Sequence, residues 1–228
     1  MQKFIEGVTR FQSEVWPQQR EYLESLAGGQ KPEALFIGCS DSRVSPEIMT
    51  QTLPGQLFVV RNAGNLVPPY GGARGGVGAS IEYAVAALHV PHIIICGHSD
   101  CGVMKATLAP EHATTMPAVV DWLQMTEATR RTLAENFPDL QGQERLDTAV
   151  EHNVLMQVQN LQTHPAVASA LLAGRVQIHA WTYRVESGSV LAFDTENRQF
   201  VPLQELWAAT AGAPSQVGRS GIFKNPLK

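Results

Sequence analysis

Three short runs along the chain are almost wholly apolar: ALFIG at 34–38, LFVV at 57–60 and HIIICG at 92–97. Runs of this length without polar alternation read as strands buried on both faces, as in a parallel sheet covered by helices. Between the second and third lies ASIEYAVAALH (79–89), where Ile81, Ala84, Val85 and Leu88 make one helical stripe. Strand, helix and strand in repetition is the α/β signature, with right-handed crossovers expected. Apolar positions at Val150, Val154, Val158 and Leu161 predict a helix over 147–162. PAVASALLAG (165–174) predicts another, with Pro in its first turn and Gly just past its end. VQIHAWTYRVESGSVLAFD (176–194) reads as a hairpin turning near Gly188. At the start, Phe4, Val8, Phe11 and Val15 recur at helical spacing and predict an amphipathic helix that packs on something beyond its own core. Pro17 is a break or kink, with helix continuing to about Leu26, before Gly28 and Gly29.

The pattern therefore predicts an α/β fold: a mostly parallel central sheet flanked by helices, with a C-terminal β-hairpin at the sheet edge. One domain spans 1–228, with an N-terminal helical arm over 1–27 and a loosely held, Ala-, Gly- and Ser-rich tail over 206–228. The length of 228 residues, 44% hydrophobic and 17% charged, suits one compact domain with a proper core.

Charge narrows the partners. A net charge of -4 without any Lys/Arg cluster argues against nucleic acid. The first 15 residues carry charges throughout and lack a signal peptide's apolar centre, and no run approaches the roughly 18–20 apolar residues of a membrane span. A cytoplasmic protein with no membrane partner is expected. Three cysteines, Cys39, Cys96 and Cys101, make no disulfide framework and read as buried thiols, metal ligands or nucleophiles.

The stretch IGCSDSRV (37–44) sets a thiol, a carboxylate and a guanidinium on alternate positions at the end of the first strand. Ser40, Asp41 and Ser42 are all capable helix caps, which is the plain reading. Ligands in open α/β sheets, however, gather outside the carboxyl ends of the strands. There GHSDCG (97–102) follows the third apolar run and offers His98 and Cys101. Two thiolates and an imidazole suit tetrahedral zinc, and three protein ligands rather than four leave a place for water, as catalytic sites do. H-x-x-C alone is a weak signal, and Cys39 strengthens it. Arg43 can pair with Asp41, lowering the carboxylate's pKa and holding it free to accept a proton; otherwise the two make an ordinary surface ion pair.

CSDSR at 39–43 followed by GHSDCG at 97–102 resembles the β-class carbonic anhydrases, which hydrate carbon dioxide reversibly to bicarbonate and a proton. The resemblance runs from about the first helix to Leu203 and includes GQKP (29–32), RNAGNLVPP (61–69), GASIEYAV (78–85) and NLQTHP (160–165). It implies one Zn2+ per chain held by Cys39, His98 and Cys101, with zinc-bound hydroxide as nucleophile and Asp41 and Arg43 as catalytic dyad. It implies that the Gln30 amide and the Gly102 N–H contact substrate, and that Phe58, Ala63 and Tyr83 line a narrow apolar carbon dioxide pocket, partly from a second subunit. The active unit implied is a homodimer, often assembled further, in which the N-terminal helix embraces the partner. Two thiolates on the metal predict activity rising through mildly alkaline pH.

In the bicarbonate-inhibited members of that family a tryptophan lies three residues before the first cysteine. This chain has Phe36 there, with Arg61 and Tyr183 in the other two places of the inhibitory site. Phe36 lacks an N–H donor, so the expectation is an Asp41–Arg43 pair at neutral pH and no strong bicarbonate inhibition. Similarity is greatest to the branch holding carboxysomal and cyanase-associated enzymes, and the short tail weakens but leaves open a carboxysomal role. Elsewhere the plain readings hold. Cys96 is a core thiol, the remaining histidines are surface or hydrogen-bonded, and the four tryptophans pack. GGARGGVG (71–78) is a turn into a helix, since no strand directly precedes it as a dinucleotide fingerprint requires.

Overall fold

The computed structural model describes residues 1–72 and 75–210. Its centre is one six-stranded sheet built from β1 (Ala34–Cys39), β2 (Leu57–Asn62), β3 (His92–His98), β4 (Gln177–Tyr183), β5 (Val190–Asp194) and β6 (Gln199–Pro202), in the order β2-β1-β3-β4-β5-β6. The first four strands are parallel, and β5 and β6 continue the sheet antiparallel. The expected hairpin is β4–β5, turning through Gly188 at φ 73°. The sheet goes one strand further than the sequence pattern indicated, because β6 is short and mostly half-exposed.

Eleven α-helices are found among the described residues, the first three in the N-terminal arm: α1 (Gln2–Arg10), α2 (Trp16–Gln18) and α3 (Arg20–Ser25). A wide helical turn over Phe11–Val15 joins α1 to α2. Pro17 sits in the first turn of α2, where it needs no N–H partner, and the helix breaks instead at Gln19 (φ -110°, ψ 15°). No residue of α1 is buried: Phe4, Ile5 and Val8 remain 69, 61 and 57% exposed, and Phe11 in the turn beyond it 44%.

The remaining helices are α4 (Pro46–Thr50), α5 (Gly76–Glu82), α6 (Gly102–Leu108), α7 (Pro117–Leu123), α8 (Glu127–Asn136), α9 (Gly142–Gln162), α10 (Pro165–Leu172) and α11 (Leu203–Thr210). The stripe Ile81, Ala84 and Val85 is buried as expected, and Leu88 packs beside it. On one face of the sheet, Leu35, Ile37, Val60, Ile93, Ile95, Ile178 and Ala180 meet Val154, Val158 and Leu161 of α9 and Val167 and Ala170 of α10. Gly97 permits that approach, since a Cβ there would lie 2.8 Å from Val154 Cγ2 and 2.9 Å from Val150 Cγ1. The other face carries Ala34, Phe36, Ile94 and Cys96, with Met49 of α4, Trp181 and Tyr183 against them. Burial alone pushes the Cys96 thiol up to about 12, which marks it as the expected core residue. Of the expected tail, residues 206–210 close α11, and 211–228 lie outside the described residues.

The strand order sets the site. From β1 the chain crosses to β2 on one side and then to β3 on the other, so the connections diverge between β1 and β3. Outside the carboxyl ends of two such strands a crevice opens.

Candidate metal centre and its proton-handling pair

Cys39 is the last residue of β1 and His98 the last of β3. Cys101 follows at the N-cap of α6. Their ligand atoms all lie within 4.8 Å of one another, and all three residues are buried. His98 Nδ1 bonds the Ser99 carbonyl at 2.8 Å, which turns Nε2 toward the sulfurs. That Nε2 is buried and has no hydrogen-bond partner. An orphaned imidazole nitrogen facing two thiols is a donor set that a zinc ion fits.

Cys101 donating to Cys39, helped by His98 and by the Gly64 and Asp41 backbone N–H groups, pushes the Cys39 thiol down to about 4 against the opposing effect of burial. The same contact, together with burial, pushes Cys101 above the ordinary thiol range.

Asp41 lies just outside the cluster. Arg43 Nε donates to its Oδ1 at 2.9 Å and Arg43 Nη2 to its Oδ2 at 2.8 Å. Oδ1 also accepts the Arg43 backbone N–H at 2.9 Å, so the side chain closes a local turn while it binds the guanidinium. Of the three possible caps, Asp41 alone takes that part among the described residues; the first helix beyond it, α4, follows Ser45 with no side-chain cap bond. Asp41 Oδ2 stands 3.9 Å from His98 Nε2. Hydrogen bonding from Arg43 holds the Asp41 carboxyl well below the usual carboxylate range.

The loop between β2 and α5 closes the site. Arg61 Nε donates to the Cys39 carbonyl at 2.9 Å and Nη2 to the Asp41 carbonyl at 2.7 Å. The Gly64 N–H reaches Cys39 Sγ at 3.3 Å. Polar side chains of α9 hold this loop: buried Asn153 donates to the Gly64 carbonyl, buried Gln157 accepts the Val67 N–H, and half-buried Asn160 donates to the Val67 carbonyl. Sequence reasoning had read only the apolar stripe of α9. The signal for these residues was present, as three amides at i, i+4 and i+7 beside that stripe.

One chain brings together Cys39, His98, Cys101, Asp41 and Arg43, with Gly102 the next residue after Cys101 and open space in the direction of its missing Cβ. It does not bring the other expected residues into that group. Phe58 pairs with Leu35 and Cys39 with Asn62 in the parallel register, so Phe58 lies four residues, about 13 Å, back along the strand from Cys39. Its ring tilts against that of Tyr83, centroids 6.0 Å apart. Ala63 is exposed, its carbonyl taking a 2.7 Å bond from Trp122 Nε1 of α7. Gln30 is exposed in the loop before β1. Phe36 is wholly buried, and Tyr183 packs on its cluster.

Residues 34–190 match the family model described as carbonic anhydrase. The chain is 50% identical to a carbonic anhydrase of Pseudomonas aeruginosa over 95% of its own length and 99% of that protein's. The chain belongs to the β-carbonic anhydrases. A carbonic anhydrase of Synechocystis is 48% identical, covering 90% of this chain and 75% of that one. Among solved β-carbonic anhydrases, CcaA superposes with a TM-score of 0.87 at 48% identity, over 89% of this chain and 91% of that one. A tetrameric enzyme of Sordaria macrospora gives 0.76 at 30%, over 84% and 95%. The Cys39–His98–Cys101 group, whose ligand atoms could hold a metal ion, thus lies in a carbonic anhydrase fold, and the chain is a lyase. No helix of the described residues is long and apolar enough to cross a membrane.

Proposed function

We propose that this carbonic anhydrase holds one zinc ion per chain on Cys39, His98 and Cys101 and hydrates carbon dioxide there. The observation that carries the reading is the buried, unpartnered His98 Nε2 within ligand distance of two sulfurs. Bound zinc supplies an acidic water, its pKa lowered from 15.7 toward about 7 in the general case and less far where two thiolates offset the metal's charge. Asp41 Oδ2 accepts the proton, since the carboxylate stays ionised beside Arg43 and lies at the edge of the cluster. Arg43 keeps that carboxylate turned away from the metal. The Gly102 N–H orients a substrate oxygen from the first turn of α6.

Phe58 lies too far back along β2 to serve the Cys39 of its own chain, and Tyr83, just after α5, packs on Phe58, so they and Ala63 line an apolar carbon dioxide pocket across a subunit boundary, with the Gln30 amide contributing a donor. The uncovered stripe of α1 supports a homodimer, in which residues 1–27 form an arm on a single domain that embraces the partner. The Sordaria macrospora relative is tetrameric, which supports an oligomer. Stopped-flow carbon dioxide hydration from pH 6.5 to 9, with zinc analysis, tests the reading. Activity rises with pH in the native chain and vanishes together with zinc in Cys101→Ser. A flat pH profile, or full activity in Cys101→Ser, overturns it.

A further inference from the structure

The guanidinium of Arg43 is held from two sides. While Nε and Nη2 grip Asp41, Nη1 donates to Asp100 Oδ2 at 3.1 Å, and Nη2 also approaches the Asp100 carbonyl at 3.4 Å. The other Asp100 oxygen binds Lys105 Nζ on α6. Asp100 lies between His98 and Cys101, so this bridge ties the loop after β1 to the loop after β3, beside the strand ends that carry Cys39 and His98. Its backbone is in the left-handed region, at φ 59°. Glycine takes that conformation most freely, and aspartate and asparagine tolerate it better than other residues with a Cβ. The turn alone would accept glycine or asparagine as well, so it does not account for the carboxylate.

We propose that Asp100 is a positioning residue for the Asp41–Arg43 pair: it fixes the guanidinium plane so that Arg43 presents both donors to Asp41 and keeps that carboxylate off the metal. Arg43 and Asp100 are each nearly half exposed, with 43 and 45% of their side chains open to solvent. A long arginine tethered only at Asp41 would be free to rotate about its stem. With Asp100 as a second anchor and Lys105 holding Asp100 in turn, the guanidinium has one orientation. The inference rests on the proposed zinc site and concerns only how its proton acceptor is kept in place.

The test compares Asp100→Gly and Asp100→Asn with the native full-length chain, as zinc and as cobalt-substituted protein. Glycine relieves the turn and removes the brace, while asparagine tolerates the turn and keeps a neutral acceptor for Nη1. Expected in Asp100→Gly are a melting temperature no lower than native and a kcat reduced about two- to fivefold, the range of an exposed ion pair, with KM unchanged. The visible cobalt bands shift as Asp41 gains access to the metal. Asp100→Asn falls between native and glycine in both readouts. A role confined to the turn predicts that Asp100→Gly matches or exceeds the native enzyme, and either variant coinciding with native in kcat and in the cobalt bands overturns the proposal, as does a change in KM alone. A native chain that binds no cobalt or hydrates no carbon dioxide overturns the zinc-site reading instead, and is told apart by appearing before any substitution is made.

Discussion

The Gly64 N–H meets the Cys39 sulfur at 3.3 Å from a residue whose φ is +81°. Only glycine takes that backbone without strain, and a Cβ at 64 would also fall 2.6 Å from Val103 Cγ1 on α6. Gly64→Ala therefore combines a left-handed penalty with overpacking, for a loss of about 2 kcal/mol or more. Denaturant unfolding measures it. Zinc content per chain should fall too, since the displaced N–H is one of the groups that favours the Cys39 thiolate.

Gln157 accepts the Val67 N–H at 2.8 Å and donates to Asn153 Oδ1 at 2.9 Å, wholly buried in α9. Gln157→Leu leaves the Val67 N–H without a partner in the interior, at a cost of about 1–3 kcal/mol. The same helix offers a control. Leu161→Ala opens an apolar cavity and costs about 2–5 kcal/mol without touching the loop that carries Gly64. The expectation is that both variants melt early but that only Gln157→Leu releases zinc faster to a chelator. Equal release rates would show that the amide network stabilises the fold without positioning the site.

These buried amides also mark where sequence reading stopped. Continuous apolar runs exposed the parallel strands because both faces of β1 and β3 are covered, and the stripe at Val150, Val154 and Val158 exposed α9 for the same reason. Cys39, His98 and Cys101 were legible because strand ends fix where the chemistry of a parallel sheet collects. What stayed hidden depends on contacts between segments far apart in sequence. Asn153 and Gln157 look like polar faces of a helix until the 62–67 loop lies on them. Asp100 looks like a turn residue until Arg43 arrives from 57 positions away. The helices α6, α7 and α8 were missed because α6 and α8 bury only two residues each, such as Met104 and Leu133, and α7 buries none, leaving little period to read.

Asp41 should remain ionised far into acid. Arg43 lowers its pKa in the folded chain beneath the unfolded reference of about 3.9. The pair's contribution is accordingly complete above that reference and is lost only as pH falls through the lower folded value. Loss of hydration activity between pH 7 and 5 is then not protonation of Asp41. Carbon-13 NMR of the Asp41 carboxyl should give a flat shift from pH 7 to 4, and in Arg43→Gln a midpoint that moves up toward the ordinary carboxylate range. A native midpoint near pH 5 would contradict the assignment of Asp41 as the ionised proton acceptor.

Arg61 separates two accounts of bicarbonate. Its Nε and Nη2 are already spent on the Cys39 and Asp41 carbonyls, and the neighbouring Phe36 offers no donor. An arginine so engaged clamps backbone rather than waiting for an anion. Initial hydration rates should therefore respond to added bicarbonate without sigmoidal inhibition, and no more than simple product binding requires. Arg61→Met should cost about 1–3 kcal/mol of stability through two lost charge-assisted bonds, with lower zinc retention, because the carbonyls it releases belong to the residues that carry Sγ of Cys39 and the Asp41 carboxylate. Arg61→Lys should recover only part of this, since an ammonium cannot span both carbonyls with a fixed planar fork. If Arg61 instead served an inhibitory anion, Arg61→Met would leave melting and zinc content at native values and change only the response to bicarbonate.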